Sequence, residues 1–136
     1  MAKIITWSDE YNLGIKIIDD QHREFVEIID ELYTSLQNVS SKPDLEKILE
    51  KLVNYKNIHF STEEKYFKEF NYEGAVEHET QHRMFNEKIT EFQKKSQEGT
   101  YNIGFDLIDY LEDWLVDHLA NMDKKYVACF HEHGLT

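Results

Sequence analysis

Six ionisable side chains fall where a helical protein normally places Leu or Ile: His22, His59, Glu63, His78, His82 and His118. Burying such groups without partners costs on the order of several kcal/mol each. One histidine on an apolar face is usually an ordinary core residue, but six across four segments are not. A shared cation removes the cost for all of them at once, because it accepts the imidazole lone pairs and neutralises the carboxylates.

The spacings favour chelation. His59 and Glu63 are four apart, as are His78 and His82, so each pair emerges on one helix face. His118 and Asp123 are five apart, which leaves about 140° between them on an α-helix. Either the two reach different metals around the helix, or a local π-type irregularity adjusts the turn.

With Asp123 the set comprises five histidines and two carboxylates. That exceeds the four ligands of a structural zinc or the three of a catalytic one. Two six-coordinate metals accommodate it. Bridging Glu63 and Asp123, five imidazoles and a bridging oxygen leave one position open. Imidazole and carboxylate donors suit Fe, Zn, Mn, Cu or Ni. The only cysteine, Cys129, cannot build an iron–sulfur or soft copper site, and no Cys-x-x-Cys-His exists for covalent haem. Neither a Gly-framed nucleophile nor a phosphate-binding glycine loop is present.

Four amphipathic segments must position these residues. Ile18, His22, Phe25, Ile29, Leu32 and Leu36 form one three-and-four stripe. Leu45, Leu49, Leu52, Tyr55, His59, Glu63, Tyr66 and Phe70 form a second. Ala75, His78, His82, Phe85, Ile89 and Phe92 form a third, and Ile108, Leu111, Leu115, His118 and Met122 a fourth. Pro43 and Ser41 or Asp44 mark the start of the second helix, and Gly99 stops the third. Expected helices span about 18–38, 44–70, 74–97 and 102–130, after an arm over 1–17, within one domain over 1–136. Short links give an all-α, up-down-up-down four-helix bundle with the arm packed across it.

A net charge of −12 makes nucleic acid or an anionic membrane a poor partner. The lone cysteine fits a reducing compartment. No leader-like segment or apolar span is seen, so a cytoplasmic chain without membrane insertion is expected. His131 and His133 read as a solvated tail.

The chain resembles the hemerythrins, and most closely their single-domain bacterial type, over essentially its whole length. The resemblance rests on Trp7-Ser8-Asp9-Glu10-Tyr11-Asn12-Leu13-Gly14-Ile15, Ile18-Asp19-Asp20-Gln21-His22, His59-Phe60-Ser61-Thr62-Glu63-Glu64, His78-Glu79-Thr80-Gln81-His82 and Trp114-Leu115-Val116-Asp117-His118 with Asp123. Any one motif is weakly specific; all in this order are highly specific.

The resemblance implies a non-haem di-iron centre that binds O2 reversibly. The irons would be ferrous without oxygen and ferric in the oxy or met state, joined by an oxo or hydroxo bridge. His78, His82 and His118 would fill one iron, His22 and His59 would bind the other, and Glu63 and Asp123 would bridge them. Phe25, Phe60, Trp114, Leu115 and Leu119 would wall a dry pocket near the open position. The family's first motif continues toward Leu-Phe where this chain has Phe25-Val26, a departure that bears on oxygen affinity rather than on the metal site. Five neutral imidazoles and two carboxylates put little negative charge on the irons, so oxygen chemistry should stop at the peroxide level. The implied role is a monomeric carrier or store, not an enzyme, delivering O2 to oxygen-consuming enzymes. An oxygen or redox sensor and a di-iron redox enzyme are the alternatives.

Overall fold

The computed structural model describes residues 11–37, 45–98 and 103–136. Most of the expected arm, the capping residues Ser41, Pro43 and Asp44, and Gly99 lie outside them. The helices are α1 (Lys16–Gln37), α2 (Leu45–Glu69), α3 (Ala75–Gln97) and α4 (Ile103–Trp114). Beyond α4 the chain winds on as a π-helix over Leu115–Met122 and a 3-10 turn over Asp123–Tyr126, and it closes with α5 (Val127–Glu132). Each of the first four helices packs on its sequence neighbour, and α1 also meets α4, which closes a four-helix bundle. None of the described helices is long and apolar enough to cross a membrane.

The stripes explain the packing. On α1, Ile18, His22, Phe25, Ile29 and Leu32 are all buried. Each large apolar side chain so buried contributes about 1.5–3 kcal/mol. On α2 the buried face continues from Glu63 to Phe67, whereas Tyr66 and Phe70, expected on the stripe, are only half-buried. Phe67 lies four residues beyond Glu63 and keeps the same face.

Two local devices fix the ends nearest the polar layer. The Asp19 carboxylate accepts the backbone N–H groups of Leu13 (2.7 Å) and Gly14 (3.2 Å), so the incoming chain is tied to α1. Gly14 turns with φ +81, which a side chain would strain. Helix α2 ends in a Schellman turn, with Asn71 at φ 50 and bonds from Tyr72 N–H to the Phe67 carbonyl (2.9 Å) and from Asn71 N–H to that of Lys68 (3.4 Å). The Tyr72 ring then packs on Phe67 with centroids 5.1 Å apart.

Apolar side chains form two cores. The larger runs from Phe25 and Leu32 on α1 through Leu52, Phe60, Phe85 and Leu111 to Leu119. The smaller joins Leu13, Ile15, Ile18, Phe67, Tyr126 and Phe130. Between them in the sequence order of each helix lie the buried polar residues.

The fourth segment departs from the continuous helix expected over 102–130. In the π-helix the Asp123 N–H reaches back five residues to the His118 carbonyl. That wider turn brings Asp123 round to the face of His118.

Candidate metal centre

Eight polar or charged residues are buried among the described residues: Asp19 of the α1 tie, and His22, His59, Glu63, His78, His82, His118 and Asp123. The last seven are at most 1% exposed. They form two groups whose candidate ligand atoms lie within 4.8 Å of one another: Glu63 with His78, His82 and His118, and Glu63 with His22, His59 and Asp123.

Asp123 reaches both sides. Its Oδ1 stands 2.9 Å from His78 Nε2 and 3.1 Å from His118 Nε2, while Oδ2 stands 2.7 Å from His22 Nε2 and 3.7 Å from His59 Nε2. Glu63 Oε1 lies 3.0 Å from His82 Nε2, 3.2 Å from His59 Nε2 and 3.6 Å from His78 Nε2. The π turn makes the Asp123 geometry possible, since His118 and Asp123 meet on one side of their helix rather than about 140° apart.

These atoms crowd together without the alignment of hydrogen bonds. All five Nε2 atoms and all four carboxylate oxygens of Glu63 and Asp123 are buried with no hydrogen-bond partner. An unsatisfied buried polar atom costs about 1–3 kcal/mol, which a fold rarely tolerates at nine neighbouring atoms. Cations among them satisfy all nine. The donor set, imidazole and carboxylate without thiolate, fits a non-haem metal site.

In the metal-free chain the electrostatics show the same mismatch. Burial and the Asp123 charge push the Glu63 carboxyl up, but His59, His78 and His82 outweigh them and hold it well below the carboxylate range. Burial likewise opposes ionisation of Asp123, yet His118, His22 and His59 hold it low. Burial lowers His78, but the Asp123 and Glu63 carboxylates beside it raise it to about 10. His118 is lowered, chiefly by burial. Two charged carboxylates thus call for positive charge that protons on buried imidazoles supply only in part.

The outward nitrogens are held by groups that the sequence did not single out. His59 Nδ1 lies 2.6 Å from Gln21 Oε1, His118 Nδ1 2.8 Å from Gln81 Oε1, and His82 Nδ1 2.8 Å from Glu64 Oε2. An acceptor at Nδ1 places the proton there and leaves the Nε2 lone pair pointing inward. Gln21 also donates to Thr62 Oγ1 (3.1 Å). The one available signal was adjacency: Gln21 precedes His22, Gln81 precedes His82, and Glu64 follows Glu63.

Phe25, Phe60, Trp114, Leu115 and Leu119 are all buried in the larger core. Phe60 lies flat on His82 (centroids 3.8 Å, 7°) and Trp114 flat on His118 (4.1 Å, 10°). Phe25 stands against Tyr55 and Phe85 rather than on an imidazole. His131 and His133 are exposed and belong to neither group; His131 Nε2 lies 3.0 Å from the Gly14 carbonyl, and His133 stacks on Phe70.

Comparison with known proteins gives the same picture. The family model described as the hemerythrin HHE cation binding domain matches residues 13–130. The bacteriohemerythrin of Pseudomonas aeruginosa is 32% identical over 127 residues, covering 93% of this chain and 81% of that protein. Myohemerythrin-1 of Phascolopsis gouldii is 27% identical over 120 residues, covering 88% and 89%. A crystal structure of wild-type hemerythrin superposes with a TM-score of 0.81 at 27% identity, covering 93% of this chain and 97% of that one.

Proposed function

The chain belongs to the hemerythrin family, and from that premise we propose that it binds O2 reversibly at two irons, serving oxygen storage, transport or delivery to an oxygen-consuming enzyme. The observation that carries this reading is the Asp123 carboxylate, with one oxygen turned to His78 and His118 and the other to His22 and His59. A carboxylate so divided suits two metals side by side rather than one.

In this reading His78, His82 and His118 would hold one iron and His22 and His59 the other, with the Glu63 and Asp123 carboxylates shared between them. The two-histidine side, with fewer protein ligands, would be where the gas binds. A ferrous pair, when bound, supplies the two electrons that oxygen accepts on binding and returns on release. The protein's part is to orient and to exclude. Gln21, Gln81 and Glu64 fix three imidazole rings through their Nδ1 atoms. Phe60 and Trp114 cover the faces of His82 and His118, and Leu115 and Leu119 continue that apolar wall. Dry walls slow the entry of water and protons, and so the irreversible oxidation of the irons.

The test is an oxygen cycle. The chain is loaded anaerobically with ferrous iron, and visible spectra are recorded on admitting air and again on degassing. A colour that appears in air, fades on degassing and returns with each cycle supports carriage. A single irreversible oxidation moves the site to sensing or redox turnover.

A further inference from the structure

Tyr55 is the polar residue of the larger core that the metal reading leaves unused. It lies on α2 four residues before His59, on the same helix face. Its ring is 1% exposed and stacks on the His59 imidazole, with centroids 5.3 Å apart and planes at 18°. On the other side it meets Phe25 at 5.1 Å. The hydroxyl is buried and has no hydrogen-bond partner. A protonated phenol can donate, and a buried donor without an acceptor costs about 1–3 kcal/mol, so a phenylalanine would pack here at lower cost.

The phenol stands beside His59, on the side where two histidines rather than three face the carboxylates. In the di-iron reading that side carries the open position. We propose that the Tyr55 hydroxyl is the hydrogen-bond donor to a small anionic ligand held at the open position on the His22–His59 side. The assignment rests on the di-iron reading above. It gives a largely apolar pocket a hydroxyl donor beside His59. Such a donor favours ligands that carry negative charge over neutral ones of the same size, because hydrogen bonds to charged acceptors are the stronger kind.

The experiment uses azide as the probe. The full chain, iron-loaded and oxidised, is titrated with azide and followed by its visible absorption, beside Tyr55→Phe. The variant keeps the ring and removes only the hydroxyl, so iron content and melting temperature should hold or rise. Its azide dissociation constant should increase about tenfold, the typical cost of one charge-assisted hydrogen bond. A second readout needs no variant: the azide stretching frequency of the parent should shift between H2O and D2O, and this shift should vanish in Tyr55→Phe. A merely space-filling Tyr55 would move the melting temperature and neither of these. Affinities within about twofold, with the same isotope response, overturn the assignment while the di-iron reading stands. A parent that takes up fewer than two irons overturns the di-iron reading and this assignment with it.

Discussion

The buried polar layer is flanked by two unlike cores. The smaller, at the end where the incoming chain meets α5, is aromatic and interlocked: Phe67 meets His78 edge-on at 4.8 Å, Tyr126 lies 5.6 Å from the same ring, and Phe130 stacks on Tyr126 at 4.3 Å. The larger core meets the layer with flat ring faces on His82, His118 and His59. Each core holds one fully buried phenol whose hydroxyl has no hydrogen-bond partner, Tyr55 in the larger and Tyr126 in the smaller. The smaller core therefore braces the bundle end and ties the segment before α1 to α5, while the larger one supplies the surfaces a bound gas would touch. Loss of packing in the first should cost stability, and loss of packing in the second should change ligand chemistry as well.

Phe67→Ala tests the bracing role and should have the largest effect. Removing a fully buried ring should destabilise the metal-free chain by about 3–5 kcal/mol, read as a lower urea midpoint with an unchanged slope. Iron-loaded variant that remains folded should oxidise irreversibly at the parental rate. Leu119→Ala, in the larger core, should cost about 2–5 kcal/mol and also speed irreversible oxidation in air, because water gains access. If the two substitutions accelerate oxidation equally, the division between a bracing core and a ligand-facing core fails.

A pH effect sharpens the picture at smaller amplitude. In the metal-free chain His78 is raised to about 10 by the Asp123 and Glu63 carboxylates, against the opposing effect of burial. At neutral pH it therefore carries a proton that a metal must displace. Metal binds the deprotonated ring, so affinity should rise with pH between the ordinary histidine value and that raised one, by up to about tenfold per unit for one proton. Zinc titrations across this range measure the slope. A flat profile would mean that His78 is already neutral in the empty site.

Much of this architecture was legible in the residue pattern. The three-and-four stripes gave four helices, and histidines interrupting them marked buried polar positions at His22, His59, His78, His82 and His118. Periodicity fails where the period itself changes. Asp123 sits off the α-helical stripe of His118, and only the π turn over Leu115–Met122 brings it into the interior. The spacing of five signalled that something unusual was needed without saying which of two solutions the chain adopts. The same rule missed Phe67, taking Tyr66 and Phe70 instead, since a stripe can step by three or by four and tertiary packing chooses. Gln21, Gln81 and Glu64 were invisible because a half-exposed polar side chain next to a ligand motif looks like any solvated residue. Their bonds to His59, His118 and His82 join residues 38, 37 and 18 apart.

The central claim is that these seven side chains form one site for two metals, divided by Asp123. The most direct measurement is the number of ferrous ions retained per chain after anaerobic titration and gel filtration, for the parent and for Asp123→Ala. The account predicts two per parent chain and one or none in the variant, with an affinity loss above the roughly 10–100-fold typical of outer-shell changes. One ion in the parent, or two held equally tightly without Asp123, would contradict it.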